Sequence, residues 1–79
     1  MGHVSSNQMH LTEGTIVRTL EAAGYAFTHA DGDAADIFLH RTRLRGAWPP
    51  ANRSRVRFEL EMTTRGLRAL RAEIIPPIG

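Results

Sequence analysis

The sequence contains no cysteine and no lysine, and it has no long apolar run. Without cysteine, neither a disulfide framework nor a cysteine-based metal site can stabilise the chain. No apolar segment approaches the length of a membrane span, and residues 1–10 lack the apolar centre of a signal peptide, so we expect a cytoplasmic protein without membrane contact. The 79 residues suit one small domain, whose stability must come from a compact core.

Basic and acidic residues are unevenly distributed along the chain. Residues 1–37 contain one arginine and five carboxylates, a net charge of −4, whereas residues 38–79 contain nine arginines and three glutamates, a net charge of +6. Because arginine binds phosphate through two hydrogen bonds and stacks on bases, the second half suits a polyanion. A surface that only keeps the protein soluble could have the same charges, so composition leaves both interpretations open.

Aromatic residues are concentrated in residues 24–40, GYAFTHADGDAADIFLH. This stretch predicts two strands, about 25–29 and 36–40, with Asp31-Gly32 as the turn signal between them. The three aspartates of the turn lack the ligand spacing and the terminal glutamate of an EF-hand loop. We therefore interpret them as solvated turn residues rather than as a calcium site.

Each of these two strands carries aromatic side chains on one face, because residues two apart on a strand point the same way. Ile37 and Leu39 point to the opposite face of the second strand. Since so short a chain can cover only one side of a sheet, we assign these two to the core. The solvent-facing aromatic platform then consists of Tyr25, Phe27, Phe38 and His40. The alternative is that the aromatic rings fill the core, with Ile37 and Leu39 under a loop.

Three further segments complete the predicted fold. Residues 12–20 are rich in β-branched side chains and predict a first strand. Residues 55–62 alternate between apolar and charged side chains, which predicts a strand with one buried face. The residues of that buried face are Val56, Phe58, Leu60 and Met62. Residues 67–75 have the periodicity and propensity of a helix, so the chain contains five strands, or four strands and a helix, in a small barrel.

Residues 46–52, GAWPPAN, predict a loop because of their glycine and prolines. A tryptophan on such a loop has two possible roles. Trp48 either folds back as a lid on the core or reaches outward to stack on a ligand.

Two short segments resemble the nucleic-acid motifs of the cold-shock domain family, an OB-type barrel that binds single-stranded RNA and DNA. Residues 23–28, AGYAFT, resemble the pattern Lys-Gly-Tyr/Phe-Gly-Phe-Ile. Residues 36–41, DIFLHR, resemble Val-Phe-Val-His-Phe preceded by aspartate. Residues 56–61 and 65–72 resemble the fourth and fifth strands of the family. The resemblance covers residues 12–75, and the chain is identified as a divergent member.

The resemblance implies an all-β fold, a five-stranded antiparallel OB-type barrel in which residues 67–75 form a strand. It also implies that the aromatic platform stacks on bases and that Trp48 takes the part of a family aromatic in the long loop. The domain is expected at residues 12–75, between a flexible N-terminal tail at 1–11 and a C-terminal tail at 76–79.

The sequence departs from the family pattern at several binding positions. Val17-Arg18-Thr19 stands where the family has Lys-Trp-Phe, and Arg41 stands where it has phenylalanine. Each lost stack is worth ~1–3 kcal/mol, whereas arginine can recover part of this by contacting phosphate or stacking. We therefore expect weaker and more salt-dependent binding than in a typical member.

The expected function is binding of single-stranded RNA or DNA, RNA being the first expectation, as an RNA chaperone or regulator of gene expression. The expected binding residues are Arg18, Tyr25, Phe27, Phe38, His40, Arg41, Arg43 and Trp48. No cofactor, metal or small-molecule substrate is expected. The sequence has no Gly-x-Ser-x-Gly pattern and no carboxylate partner for the histidine of the platform, so we do not expect an enzyme.

The alternative function is a protein-interaction module on the same barrel, with lost or weakened nucleic-acid binding. In that case Trp48 and Leu20 would form an exposed apolar contact for a protein partner. The sequence is compatible with a monomer or a weak homodimer.

Overall fold

A computed structural model describes residues 11–77, which contain six strands and one short 3-10 helix. The elements are β1 Leu11–Leu20, β2 Tyr25–Ala30, β3 Ile37–His40, the 3-10 helix Arg41–Arg43, β4 Leu44–Arg45, β5 Arg55–Thr63 and β6 Gly66–Ile75. The bounds of the five predicted strands are correct to within one residue. Leu11, which was predicted as the last residue of the N-terminal tail, is the first residue of β1. The rest of that predicted tail, and residues 78–79, lie outside the described residues. None of the described residues forms a helix that could cross a membrane.

The five longer strands form a closed ring in the order β1, β2, β3, β6, β5, and β5 pairs again with β1. This confirms the all-β fold and the ring of five strands. The ring is not antiparallel throughout, because β3 and β6 run parallel where Phe38 meets Arg68. An odd number of strands cannot alternate in direction around a closed ring, so at least one neighbouring pair must be parallel. The two-residue β4, which was not predicted, adds a second parallel contact to β6.

Residues 67–75 belong to strand β6 and do not form the helix that local propensity favours. The two buried residues of this strand, Ala69 and Ala72, are three positions apart, a spacing typical of helices. The spacing results from a β-bulge, because β6 advances by three residues where its partner β5 advances by two. Within the bulge, Arg71 has a φ of 49°, in the left-handed region.

The barrel interior is filled mainly by aliphatic side chains and one aromatic ring. The core cluster consists of Ile16, Ala26, Ile37, Leu39, Leu44, Val56, Phe58, Ala69 and Ala72. Ile37 and Leu39 are therefore buried, as predicted, and the alternative that places the aromatic residues of β2 and β3 in the core is wrong.

The predicted apolar face of β5 is buried over only half of its length. Val56 and Phe58 are fully buried, but Leu60 is 39% and Met62 is 80% exposed. Among the described residues, β1 pairs with β5 only as far as Leu11, opposite Glu59. No strand formed by residues 11–77 covers the β5–β6 hairpin past this point, so the prediction that Leu60 and Met62 face the core is wrong.

We expect Gly14→Ala to destabilise the barrel, because Gly14 lies where β1 approaches the backbone of β2 closely. A Cβ at this position would overlap the carbonyl oxygen of His29 and lie 3.1 Å from the Cα of Ala30. Backbone atoms cannot rotate away, so the strands must separate, at a cost of about 3 kcal/mol in unfolding free energy. Urea unfolding measures this loss.

The matched control for this substitution is Gly32→Ala in the turn between β2 and β3. A Cβ at Gly32 meets no atom within 4 Å, and only its φ of 79° resists the change. The control is therefore expected to cost about 1 kcal/mol. Equal losses from the two variants would contradict the argument from close approach.

Candidate nucleic-acid interface

The side-chain rings of the four platform residues form one continuous aromatic surface on the outside of the barrel. Tyr25 pairs with His40 across β2 and β3, and Phe27 pairs with Phe38. The ring centroids of Tyr25 and Phe38 lie 5.0 Å apart, and those of Tyr25 and Phe27 lie 5.7 Å apart. Phe38 is 6.3 Å from both Phe27 and His40. All four side chains are half-buried, so each ring exposes one part to solvent and packs on its neighbours with the rest.

The ring of His40 is held in place by the turn that follows it. Its Nδ1 accepts a hydrogen bond from the amide of Thr42 at 3.2 Å and lies 2.8 Å from the hydroxyl of the same residue. Because Nδ1 accepts the amide hydrogen, the neutral imidazole carries its proton on Nε2. The free Nε2–H gives this end of the aromatic platform one hydrogen-bond donor.

One row of residues crosses four strands of the barrel and contains both phenylalanines of the platform. Arg18 pairs with Phe27 across β1 and β2, Phe27 pairs with Phe38, and Phe38 meets Arg68 across the parallel contact. The guanidinium carbon of Arg18 lies 5.3 Å from the centroid of the Phe27 ring, which is a cation–π distance. Arginine therefore flanks the two rings on both sides.

The ten arginines of the chain fall into two groups, according to whether they form an ion pair with a described carboxylate. Four form ion pairs with carboxylates, namely Arg55, Arg57, Arg68 and Arg71. The other six make no ion pair with any described residue, namely Arg18, Arg41, Arg43, Arg45, Arg53 and Arg65. The three arginines that the sequence predicted for binding all belong to the second group. An arginine without a carboxylate partner can bind a phosphate without first giving up an ion pair.

A carboxylate–arginine cluster joins Glu13 on β1, Asp31 in the turn after β2 and Arg55 on β5. Two oxygens of Asp31 accept hydrogen bonds from Arg55, one of them at 2.8 Å, and Glu13 lies 3.4 Å from the same guanidinium. The hydrogen bond from Arg55 lowers the pKa of Asp31 below its usual value of 3.8. The same contact raises the pKa of Arg55. Arg55 is thus held by two carboxylates, which leaves phosphate contacts to the unpaired arginines.

The lowered pKa of Asp31 predicts a pH-dependent contribution to stability. In the folded state its carboxylate binds a proton less readily than in the unfolded state, so the contribution is present above the unfolded pKa. It is lost as the pH falls through the lowered folded pKa, below 3.8. We therefore expect Asp31→Asn to be less stable than the wild type near pH 6, with the difference shrinking near pH 3.

Urea unfolding at these two pH values measures this difference. The matched control is Asp33→Asn, which removes a carboxylate of the same turn that contacts only the amide of Ala35. An Asp31→Asn variant whose stability differs equally from wild type at both pH values would contradict the prediction.

Comparison with known proteins adds one observation about the fold. No family model matches the chain, and no curated protein sequence matches it. Among solved structures, the Drosophila Unr cold-shock domains (CSD456) superpose on the chain with a TM-score of 0.73 and 23% sequence identity. The chain has a cold-shock-domain fold. The match covers 92% of this chain and 30% of the Drosophila protein chain, so this chain spans under a third of that structure's length.

In this cold-shock barrel, Trp48 packs against the core cluster, and its indole N–H donates to the carbonyl of Glu21 at 3.3 Å. This position agrees with the lid interpretation, and a contact of Trp48 with a ligand stays a prediction. Leu20 is half-buried as well, so the protein-contact alternative lacks the exposed pair on which it depended. The exposed large apolar residues of the described chain are Leu11, Val17, Leu60 and Met62.

The predicted site residues divide between two places on the cold-shock barrel. Arg41 lies at the end of the platform, where its amide donates to Gly24 and its side chain passes over that glycine. Arg18 lies on Phe27, so both arginines border the aromatic platform. Arg43 instead lines a separate groove formed by the 3-10 helix, β4 and β6.

Two arginines of the β5–β6 hairpin also border the aromatic platform, although the sequence did not indicate them. Arg65 and Arg68 line an open groove of about 450 Å³ whose other wall includes Phe27 and Phe38. Their position depends on the parallel contact between β3 and β6, which no local pattern reveals.

Proposed function

We propose that the chain binds single-stranded nucleic acid, with RNA as the first expectation, by stacking bases on the aromatic platform. This proposal rests on the continuous aromatic surface of the platform. Its rings stay partly exposed, while the neighbouring side chains of Ile37 and Leu39 fill the core. Every base has a face that can stack, and each stack is worth ~1–3 kcal/mol. The cold-shock-domain fold supports the same conclusion.

The arginines that border the platform complete the proposed site. Arg18 and Arg41 have no carboxylate partner among the described residues and lie at its edges, where the sugar-phosphate backbone of a stacked strand would run. Their charge supplies affinity that depends on salt, because binding releases counterions from the nucleic acid. His40 offers a hydrogen-bond donor at Nε2 toward a base or phosphate.

The proposed biological role is to hold RNA unpaired in the cytoplasm, as an RNA chaperone or a regulator of gene expression. Bases stacked on protein rings are not available for pairing with other bases. Such a role involves no catalytic step, and it needs no cofactor. Among residues 11–77, no group of three or more histidine or carboxylate side chains is placed to hold a metal ion.

The experiment that tests this proposal is an NMR titration of the labelled protein with a heptamer of uridine and a heptamer of thymidine. At low salt, the largest chemical-shift changes are expected at Tyr25, Phe27, Phe38 and His40, and they are expected to shrink as salt is raised. Signals of the exposed Met62 serve as an internal control. Unchanged spectra with both oligomers at low salt would exclude the proposed function.

A further inference from the structure

A second groove, of about 400 Å³, lies between the 3-10 helix with β4 and the bulged part of β6. Three guanidinium groups line it, and we call it the basic groove. These groups belong to Arg43, Arg45 and Arg71. No aromatic side chain lines the groove, so it is suited to an anion rather than to a stacked base.

The charges of the basic groove are largely uncompensated. Arg43 and Arg45 form no ion pair with any residue from 11 to 77, and Arg71 has a single contact at 3.4 Å with Glu59. The one carboxylate that lines the groove belongs to Glu73, which lies 3.5 Å from the guanidinium of Arg57 on the neighbouring strand. The groove therefore keeps a net positive charge.

The backbone at Arg71 is a second observation that sets this groove apart. Its φ of 49° lies in a region that side chains other than glycine and asparagine rarely adopt. This conformation belongs to the bulge that buries both Ala69 and Ala72, and it leaves the arginine side chain 74% exposed. The bulge thus places an exposed guanidinium beside those of Arg43 and Arg45, where it is available to bind an anion.

The basic groove begins where the aromatic platform ends. His40 is the last residue of β3 and the N-cap of the 3-10 helix, and its ring contacts Thr42, which lines the groove. A 3-10 helix of three residues advances by about 6 Å, roughly the distance between successive phosphates of an extended strand. A strand that leaves the platform at His40 thus reaches the groove within a few nucleotides.

We propose that the basic groove binds the phosphate backbone of nucleotides that extend beyond the aromatic platform. The proposal rests on the proposed function and adds a second, non-stacking segment to the same site. Affinity therefore depends on oligonucleotide length beyond the number of bases that the four rings can stack.

The test compares a tetramer and a dodecamer of thymidine in fluorescence-anisotropy titrations with the wild type and the variant Arg45→Gln/Arg71→Asn. Asparagine at position 71 tolerates the left-handed backbone. The variant is expected to bind the dodecamer about tenfold more weakly and the tetramer within about twofold of wild type. The slope of log K against log salt for the dodecamer is expected to fall in magnitude by about 1.4, for two lost contacts.

Two controls separate the groove from a general effect of charge. Arg53→Gln removes an unpaired arginine that does not line the groove, and it is compared with Arg45→Gln, which removes the same charge within it. Equal losses from these two single variants, or losses from the double variant that are the same for both lengths, would overturn the inference. Full dodecamer affinity in the double variant would overturn it too. A wild type that binds neither oligomer would instead show that the proposed function itself is wrong, and the inference with it.

Discussion

The double variant Phe27→Ala/Phe38→Ala is expected to bind a uridine heptamer at least about 30-fold more weakly than the wild type. The two rings pair across β2 and β3 and form the centre of the aromatic platform. Removing two stacks at ~1–3 kcal/mol each gives this lower limit, since ~1.4 kcal/mol corresponds to a factor of ten. The loss is expected to persist at high salt, because stacking involves no counterion release. Isothermal titration calorimetry at two salt concentrations measures it.

The control for this variant must separate lost stacking from lost packing, because both rings are half-buried. Phe27→Leu/Phe38→Leu keeps apolar side chains at both positions and removes only the flat ring faces. This variant is expected to unfold close to the wild-type midpoint and to lose most of the same affinity. Wild-type affinity in the leucine variant would show that the rings cover the barrel and do not stack on bases.

Phe58→Ala is expected to lower the free energy of unfolding by about 3–5 kcal/mol. Phe58 is the largest fully buried side chain, and its ring fills the centre of the barrel. The neighbouring strands cannot collapse into the space because they are joined in a closed ring. For a domain of this size the loss is a large share of total stability, and a substantial fraction of the variant is expected to be unfolded at room temperature. Urea unfolding at low temperature, where the folded fraction is larger, measures the difference.

Met62→Ala is the matched control for this substitution, because Met62 lies on the same strand and has the same place in the apolar alternation. Its side chain is 80% exposed, so the expected change is within about 0.5 kcal/mol. Comparable losses from Phe58→Ala and Met62→Ala would mean that the end of the β5–β6 hairpin is covered in solution.

The orientation of β2 and β3 could be predicted from two simple constraints together with the resemblance to cold-shock domains, because the constraints alone left a core of aromatic rings as an alternative. Alternation places Phe38 and His40 on one face and Ile37 and Leu39 on the other, and a short chain can bury only one of these faces. The bounds of the strands could also be predicted from the sequence, because glycine or proline lies within or next to each connection between the five longer strands. The resemblance to cold-shock domains then decided that residues 67–75 form a strand, which their own spacing opposes.

Features that depend on strand register could not be predicted in this way. The bulge at Arg71 changes the face of every residue that follows it in β6, and a single sequence carries no marker for a non-glycine bulge. The exposure of Leu60 and Met62 depends on where β1 stops covering β5, which is a property of two distant segments. Which arginines form ion pairs also depends on register. The sequence gives the number of arginines but does not show which of them lack a carboxylate partner among the described residues.

The parallel contact between β3 and β6 closes the ring of strands, and it is also the point at which the row of residues across the platform can separate. Phe27 and Phe38 belong to one local hairpin in which β2 and β3 pair at four positions, whereas β3 meets β6 at one position only. We expect the barrel to open first along this short contact, which would separate Arg68 from Phe38 and leave the two rings together. Amide hydrogens along the seam are therefore expected to exchange with solvent sooner than those between β5 and β6. Such opening would move the charge of Arg68 away from the two rings and would leave intact the surface on which bases would stack.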